Sequence, residues 1–183
     1  MIVSIGLIEL TSIARGIEAS DAMLKAGEVS LDFAKPVCPG KFIVMVHGDV
    51  AAVGAAMAAG LETGASSVVN HLTIPRVHPS LIPAINAVLE APAGVSALGV
   101  VEYFDISSAI VGADAAAKAA RVSLIEVRLG MGIGGKSFFK LCGEVADVRS
   151  AVAAAVDLAR ERTTIVGVCV IPAPDPALFR ELI

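Results

Sequence analysis

From Ile2 to Leu10 the chain is almost continuously apolar, broken only by Ser4, Gly6 and Glu9, which suits a buried strand. The pattern then changes period. Between Ser12 and Ala26, Ile13, Ile17, Ala22 and Leu24 recur at roughly helical spacing and predict a helix. Val29 to Lys35 and Phe42 to His47 read as two strands about a turn rich in Pro and Gly, and Gly48-Asp49 offers an N-cap for the Ala-rich helix running to Gly64. Val68 to Ile74 supplies a fourth strand, stopped by Pro75. Strand, helix, strand, strand, helix, strand is the split βαβ order. It predicts an α+β, ferredoxin-like domain: a four-stranded antiparallel sheet with helices on one face.

The same pattern then begins again, at a period of about 93 residues, too long for a solenoid repeat. Ser4-Ile5-Gly6-Leu7-Ile8-Glu9-Leu10 aligns with Ala97-Leu98-Gly99-Val100-Val101-Glu102-Tyr103. At one offset Ile13, Ile17, Asp21 and Lys25 match Ile106, Ile110, Asp114 and Lys118, and Val29-Ser30-Leu31 matches Val122-Ser123-Leu124. After a short insertion in the second copy, Gly40-Lys41 matches Gly135-Lys136, and Ile74-Pro75 matches Ile171-Pro172. Two tandem domains are expected, 1–92 and 93–183, joined near Ala91-Pro92-Ala93-Gly94.

Composition narrows the functional classes. Hydrophobic residues make up 56% of the 183, mean hydropathy is +0.80, and the excess is largely Ala and Val. The longest uncharged apolar stretch, Val50 to Leu61, is too short to span a bilayer. So much apolar surface in small domains points to an oligomer and not to a membrane. A net charge of −4 without a basic cluster leaves nothing to neutralise phosphates, so nucleic acid is excluded. The N-terminus lacks a secretory signal and the C-terminus a lipidation motif, which suggests the cytoplasm. Three cysteines, Cys38, Cys142 and Cys169, do not form a disulfide framework there, and the last two, inside strand patterns, read as core.

Few residues carry candidate chemistry. Gly130 to Ser137 satisfies the phosphate-loop expression GxxxxGK[ST], but such a loop must open a helix, and Phe138 to Gly143 aligns with a strand of the first copy. It reads instead as the second copy's version of the turn around Cys38. His47, His71 and His78 show no ligand spacing, and the repeated Glu9 and Glu102 suggest one structural role played twice. No nucleophile, base and acid stand together, so no enzymatic activity is expected.

Gly6-Leu7-Ile8-Glu9, Ala19-Ser20-Asp21-Ala22-Met23-Leu24-Lys25-Ala26, Gly48-Asp49-Val50-Ala51 and Ile74-Pro75-Arg76-Val77-His78-Pro79 resemble the successive signatures of bacterial microcompartment shell domains. They occur in unpermuted order over nearly the whole chain. Pro36-Val37-Cys38-Pro39-Gly40-Lys41, with Gly132-Ile133-Gly134-Gly135-Lys136, is similar to the tandem-domain propanediol-utilisation T type. That resemblance implies a homotrimer forming a pseudo-hexameric tile in a microcompartment shell. It implies that these two turns line a central pore, and that Cys38 of each chain ligates one [4Fe–4S] cluster per trimer on the three-fold axis. Iron–sulfur electron transfer or cluster exchange across the shell would follow, with enclosed redox enzymes or an electron-transfer flavoprotein as partners beside other shell proteins. Lys41 would add positive potential favouring the thiolate. Lys25, Lys118 and Arg76 would lie on tile edges, with Ala173 in the second copy's arginine position. Two alternatives stay open: a plain tile whose pore passes metabolites without a cluster, and a ligand-binding regulatory module.

Overall fold

The computed structural model describes residues 3–88, 95–159 and 165–182; the expected junction at 91–94 lies outside them. Its elements are Ser4–Leu10 (β1), Ile13–Ala26 (α1), Ser30–Val37 (β2), Lys41–Gly48 (β3), Val50–Gly64 (α2), Val68–Ile74 (β4) and Leu81–Ile85 (α3). The second copy follows with Ala97–Tyr103 (β5), Ile106–Ala119 (α4), Val122–Leu129 (β6), Ser137–Gly143 (β7), Val145–Ala159 (α5), Ile165–Pro172 (β8) and Pro176–Leu182 (α6). Two four-stranded antiparallel sheets result, ordered β2-β3-β1-β4 and β6-β7-β5-β8. The expected elements all form, and α3 and α6 are additions that the hydrophobic pattern did not announce.

Local chemistry explains the boundaries. Ser12, Asp49 and Asp105 cap α1, α2 and α4 by accepting backbone N–H groups of Arg15, Ala52 and Ser108. Strand β2 runs beyond Lys35 through Pro36 to Val37, because it is an edge strand and Pro36 need donate to no further neighbour.

The helices cover one face of each sheet. In the first unit Ile8, Leu10, Phe42, Val44 and Val46 meet Ala19, Met23, Val53, Ala56 and Met57. Close approach there requires a residue without a side chain: a Cβ on Gly60 would lie 2.5 Å from Met23 Cγ and 2.6 Å from Ile8 Cδ1. On the opposite face Ile5, Leu7, Ile43 and Met45 are also fully buried. In the second unit Leu98, Ile125 and Cys142 occupy that opposite face, packed by Phe179 and Leu182 of α6. Burial pushes the Cys142 thiol up to about 11, as a core cysteine requires. Cys169 departs from expectation. It lies on β8, an edge strand, and is exposed.

The compact units are Met1–Val77 and His78–Ile183. Residues 78–88 therefore pack with the second copy's elements, although the repeat aligns them with the end of the first. Helix α3 lies on β6 and α4 with Leu81 and Ala84 buried, and the His78 N–H donates to Asp114 Oδ1 at 2.7 Å.

Substitution of Gly60 by Val should destabilise the fold by about 2–3 kcal/mol through overpacking. Gly54 sits on the same helix with no atom near its missing Cβ, so Gly54→Ala should raise stability by up to about 1 kcal/mol. Urea unfolding of both variants checks the pair.

Candidate functional site

The turn between β2 and β3 holds Cys38, half-buried, at its tip. Gly40 closes it by donating its N–H to Val37 O at 2.9 Å, and its φ of +101° is a conformation that favours glycine. The Cys38–Pro39 bond is cis, and no atom lies within 4 Å of a Cβ placed on Gly40, so this edge of the turn is open. The equivalent turn between β6 and β7 is held by Gly130 N–H to Lys136 O at 3.0 Å and Lys136 N–H to Ile133 O at 3.3 Å. Gly130, Gly132, Gly134 and Gly135 all take positive φ there. Ser137 then enters a strand, so the helix that a phosphate loop needs is absent at this position.

Both turns are tied down by the same ion pair. Lys41 Nζ lies 2.8 Å from Glu9 Oε1, and Lys136 Nζ lies 2.5 Å from Glu102 Oε1. Glu9 is buried in the middle of the sheet, so the Lys41 charge is spent on it; the expected free positive potential beside Cys38 is not what the geometry provides. The repeated glutamate thus acquires its role, anchoring the turn's lysine to the adjacent strand. The joint repetition of Glu9 and Gly40-Lys41 at both positions was the sequence signal for it.

The edge candidates divide by copy. Lys25 is exposed and pairs with exposed Asp21 at 2.6 Å, and Arg76 is exposed with φ 55°. Lys118 pairs at 2.5 Å with Asp114, which is buried and also holds the His78 amide. Ala173 repeats the backbone conformation of Arg76, with φ 46°, without its charge.

Two features escaped the sequence reading. The first is a carboxylate–imidazole pair, Asp32 Oδ1 to His47 Nδ1 at 2.9 Å, in which Asp32 is nearly enclosed and its Oδ2 has no partner. Burial raises the Asp32 pKa above its ordinary value against the opposing pull of His47. The second is a cavity of roughly 440 Å³ between α6 and the outer face of the second sheet, lined among others by Glu102, Glu126, Arg128, Phe138, Lys140 and Glu181. There Glu126 binds Lys140 at 2.8 Å and Arg128 at 2.6 Å. Burial alone would raise the Glu126 pKa, but the hydrogen bonds and charges of Lys140 and Arg128 outweigh it and hold the carboxyl below its usual value. Among the described residues no three His, Cys, Asp or Glu side chains are grouped to hold a metal ion. Among the described residues no helix is long and apolar enough to cross a membrane.

The turn tether can be tested by a cycle. Lys41→Met leaves a buried carboxylate unpaired and should cost about 3 kcal/mol, whereas Lys41→Met with Glu9→Gln should recover most of that loss in urea unfolding. Asp32 behaves in the opposite sense. Its raised folded pKa means its contribution is fully present below the unfolded value near 3.8 and is lost as pH rises through the folded value. Asp32→Asn should therefore raise the thermal midpoint at pH 7, with the gain shrinking as the pH is lowered toward 3.8.

With this geometry in place, comparison with known proteins is informative. The BMC domain model matches residues 4–77 and again 97–174. The chain is 42% identical over 98% of its length to the bacterial microcompartment shell protein PduT of Citrobacter freundii, 97% of which is covered. A solved microcompartment protein from Desulfitobacterium hafniense superposes with a TM-score of 0.93 at 54% identity, over 98% of this chain and 99% of that one. A fused permuted hexameric shell protein from the RMM microcompartment follows with a TM-score of 0.62 at 26% identity, over 85% and 82%.

Proposed function

The chain belongs to the bacterial microcompartment shell proteins, with two BMC domains in tandem, and we propose that three copies close head to tail into a tile holding one [4Fe–4S] cluster at Cys38. The observation that carries the assembly is a difference in burial between equivalent positions. Ile110 on α4 is fully buried, while its counterpart Ile17 on α1 is 58% exposed. Leu124 on β6 is 1% exposed and Leu31 on β2 45%; Leu81 on α3 is fully buried and Leu178 on α6 44% exposed.

The second unit already contains the interaction that the open positions lack. Helix α3 seats on β6 and α4, with the His78 amide on Asp114. The repeat places Asp175 and α6 where His78 and α3 stand, and Asp21, α1 and β2 where Asp114, α4 and β6 stand. One chain therefore carries an open groove and a tail helix of matching register, which packs Phe179 and Leu182 on its own sheet and leaves Leu178 exposed. Seating the tail in the groove of another copy is a heterologous contact, which closes into a ring when the rotation allows. Three chains of two domains give a six-domain tile, and such a tile is what a shell of BMC domains is built from.

Cys38 suits the cluster by its chemistry and position. A thiol is the donor that iron–sulfur clusters take, it lies at the open tip of a turn held by Gly40 and the Lys41–Glu9 pair, and its own chain groups no further ligands with it among the described residues. Three copies about an axis would supply three thiolates and leave one iron to water, a small ligand or a partner. Such a cluster, when bound, supplies one-electron transfer. On this reading the tile passes electrons across the shell, while Pro36 and Pro39 restrict the backbone beside the thiol and Gly40 permits the turn. The role is structural and conductive, not enzymatic.

Native mass measurement on protein purified without oxygen tests both halves. The expected species is three chains plus one cluster, with a paramagnetic signal on reduction; Cys38→Ser should keep the trimer and lose the iron. A trimer that binds no iron with Cys38 intact removes the cluster and leaves the plain tile. Leu31→Asp should abolish the trimer, and a wild-type chain that stays monomeric would remove the assembly.

A further inference from the structure

The cavity beneath α6 belongs to the second copy. Where the second sheet carries Glu126, Phe138 and Lys140, the repeat puts Phe33, Ile43 and Met45 in the first, and Ile43 and Met45 are fully buried there. On the following helix Glu181 stands where α3 has the buried Ala84. The second copy has thus taken on three charges at positions that are apolar in the first. Stability does not account for the exchange. The side chains of Lys140 and Glu126 are only 11% and 14% exposed, and an ion pair so far removed from water gains little over the apolar pair it replaces. A cavity of roughly 440 Å³ bordered by such a pair has instead the size and lining of a small-molecule site.

Its charges are unevenly distributed. Arg128 and Lys140 share the single carboxylate of Glu126, at 2.6 and 2.8 Å, which leaves the sheet wall with a positive charge in excess. Glu102 is matched by Lys136. Glu181, exposed on α6, has no ion-pair partner among the described residues and leaves the helix wall negative. Hydrogen-bond donors are to spare as well. Lys140 donates to Glu126 and to the Leu182 carbonyl, and an ammonium has a third N–H to give. Arg128 meets Glu126 through Nε and Nη2 and lies over the Phe138 ring, so its outer N–H groups are uncommitted among the described residues. Val100, Phe138 and Leu182 supply apolar lining, and Phe179 and Leu182 hold α6 against the sheet.

We propose that this cavity binds a small zwitterion, with an ammonium and a carboxylate on a short apolar frame. The carboxylate lies on Arg128 and Lys140, and the ammonium on Glu181. A single positive charge in excess suits a carboxylate better than a phosphate dianion. A ligand that is only a cation would close over the spare Lys140 donor without pairing it, and one that is only an anion would do the same to Glu181, each at a desolvation cost. The site does not rest on the tile reading, since every residue named for it lies in the second unit of one chain.

Calorimetric titration of the full chain tests it, with glycine, β-alanine, γ-aminobutyrate, L-valine and L-leucine as probes. At least one should saturate with a dissociation constant below about 5 mM, and its amine and acid analogues, each lacking one charge, should bind at least about tenfold more weakly. The amide resonances of Phe138, Lys140 and Leu182 should shift with the same saturation. Glu181 and the Arg128 side chain are exposed, so Glu181→Gln and Arg128→Gln should fold normally by circular dichroism. Each should weaken binding at least about tenfold, whereas Glu18→Gln on α1 should leave it unchanged. No saturation by any probe up to that concentration overturns the proposal, as does binding that is indifferent to the loss of one ligand charge or of the Glu181 carboxylate. Either result leaves the trimer and its cluster standing. A chain that binds a zwitterion here yet forms neither trimer nor cluster removes the tile reading alone.

Discussion

Each copy places both of its long helices on one face of a four-stranded sheet, and everything else about this chain follows from the face left over. A sheet of this size cannot leave an apolar face in water, and a two-layer domain has no third layer of its own to supply. The helix side is completed locally, with glycines such as Gly60 allowing helix, strand and Met23 to approach to contact. On the opposite side Ile5, Leu7, Ile43 and Met45 of the first unit are fully buried, and in the second Leu98, Ile125 and Cys142 are packed by α6 beside a cavity lined in part by Glu102, Glu126 and Lys140.

That inequality is what a tandem arrangement makes possible. Two identical domains would expose and bury the same things, but covalent linkage lets the two copies diverge, and the divergence is visible residue by residue: Met45 against Lys140, Phe33 against Glu126, Glu18 against Val111.

The turns follow the same logic at the opposite end of the sheet. Both are fastened by a lysine to a glutamate on the neighbouring strand, so their tips are positioned by the sheet and not by their own short sequences. With the framework shared, the tips are free to differ: a cysteine between two prolines in one, four left-handed glycines in the other. Among the described residues no set of metal-ligating side chains is grouped around the thiol in its own chain, so the proposed cluster would depend on the same cysteine of other copies.

The sequence alone determined the order of strands and helices, the duplication and the family. These are set by periodicity, by caps such as Asp49 and by motifs that recur at a fixed offset, all local or self-referential signals. It also marked Cys38, the glycine-rich turn and the duplicated Glu9 and Glu102, but not that those glutamates hold Lys41 and Lys136, because an ion pair between strands depends on register. Tertiary structure decided which apolar residues are core: Ile17 and Ile110 occupy the same place in the same pattern, yet one is exposed and the other buried. It also placed residues 78–88 with the second unit and showed Cys169, on an edge strand, to be exposed. Periodicity reports that a face is apolar; only the arrangement of the whole chain decides whether the cover for that face is already present or must come from another molecule.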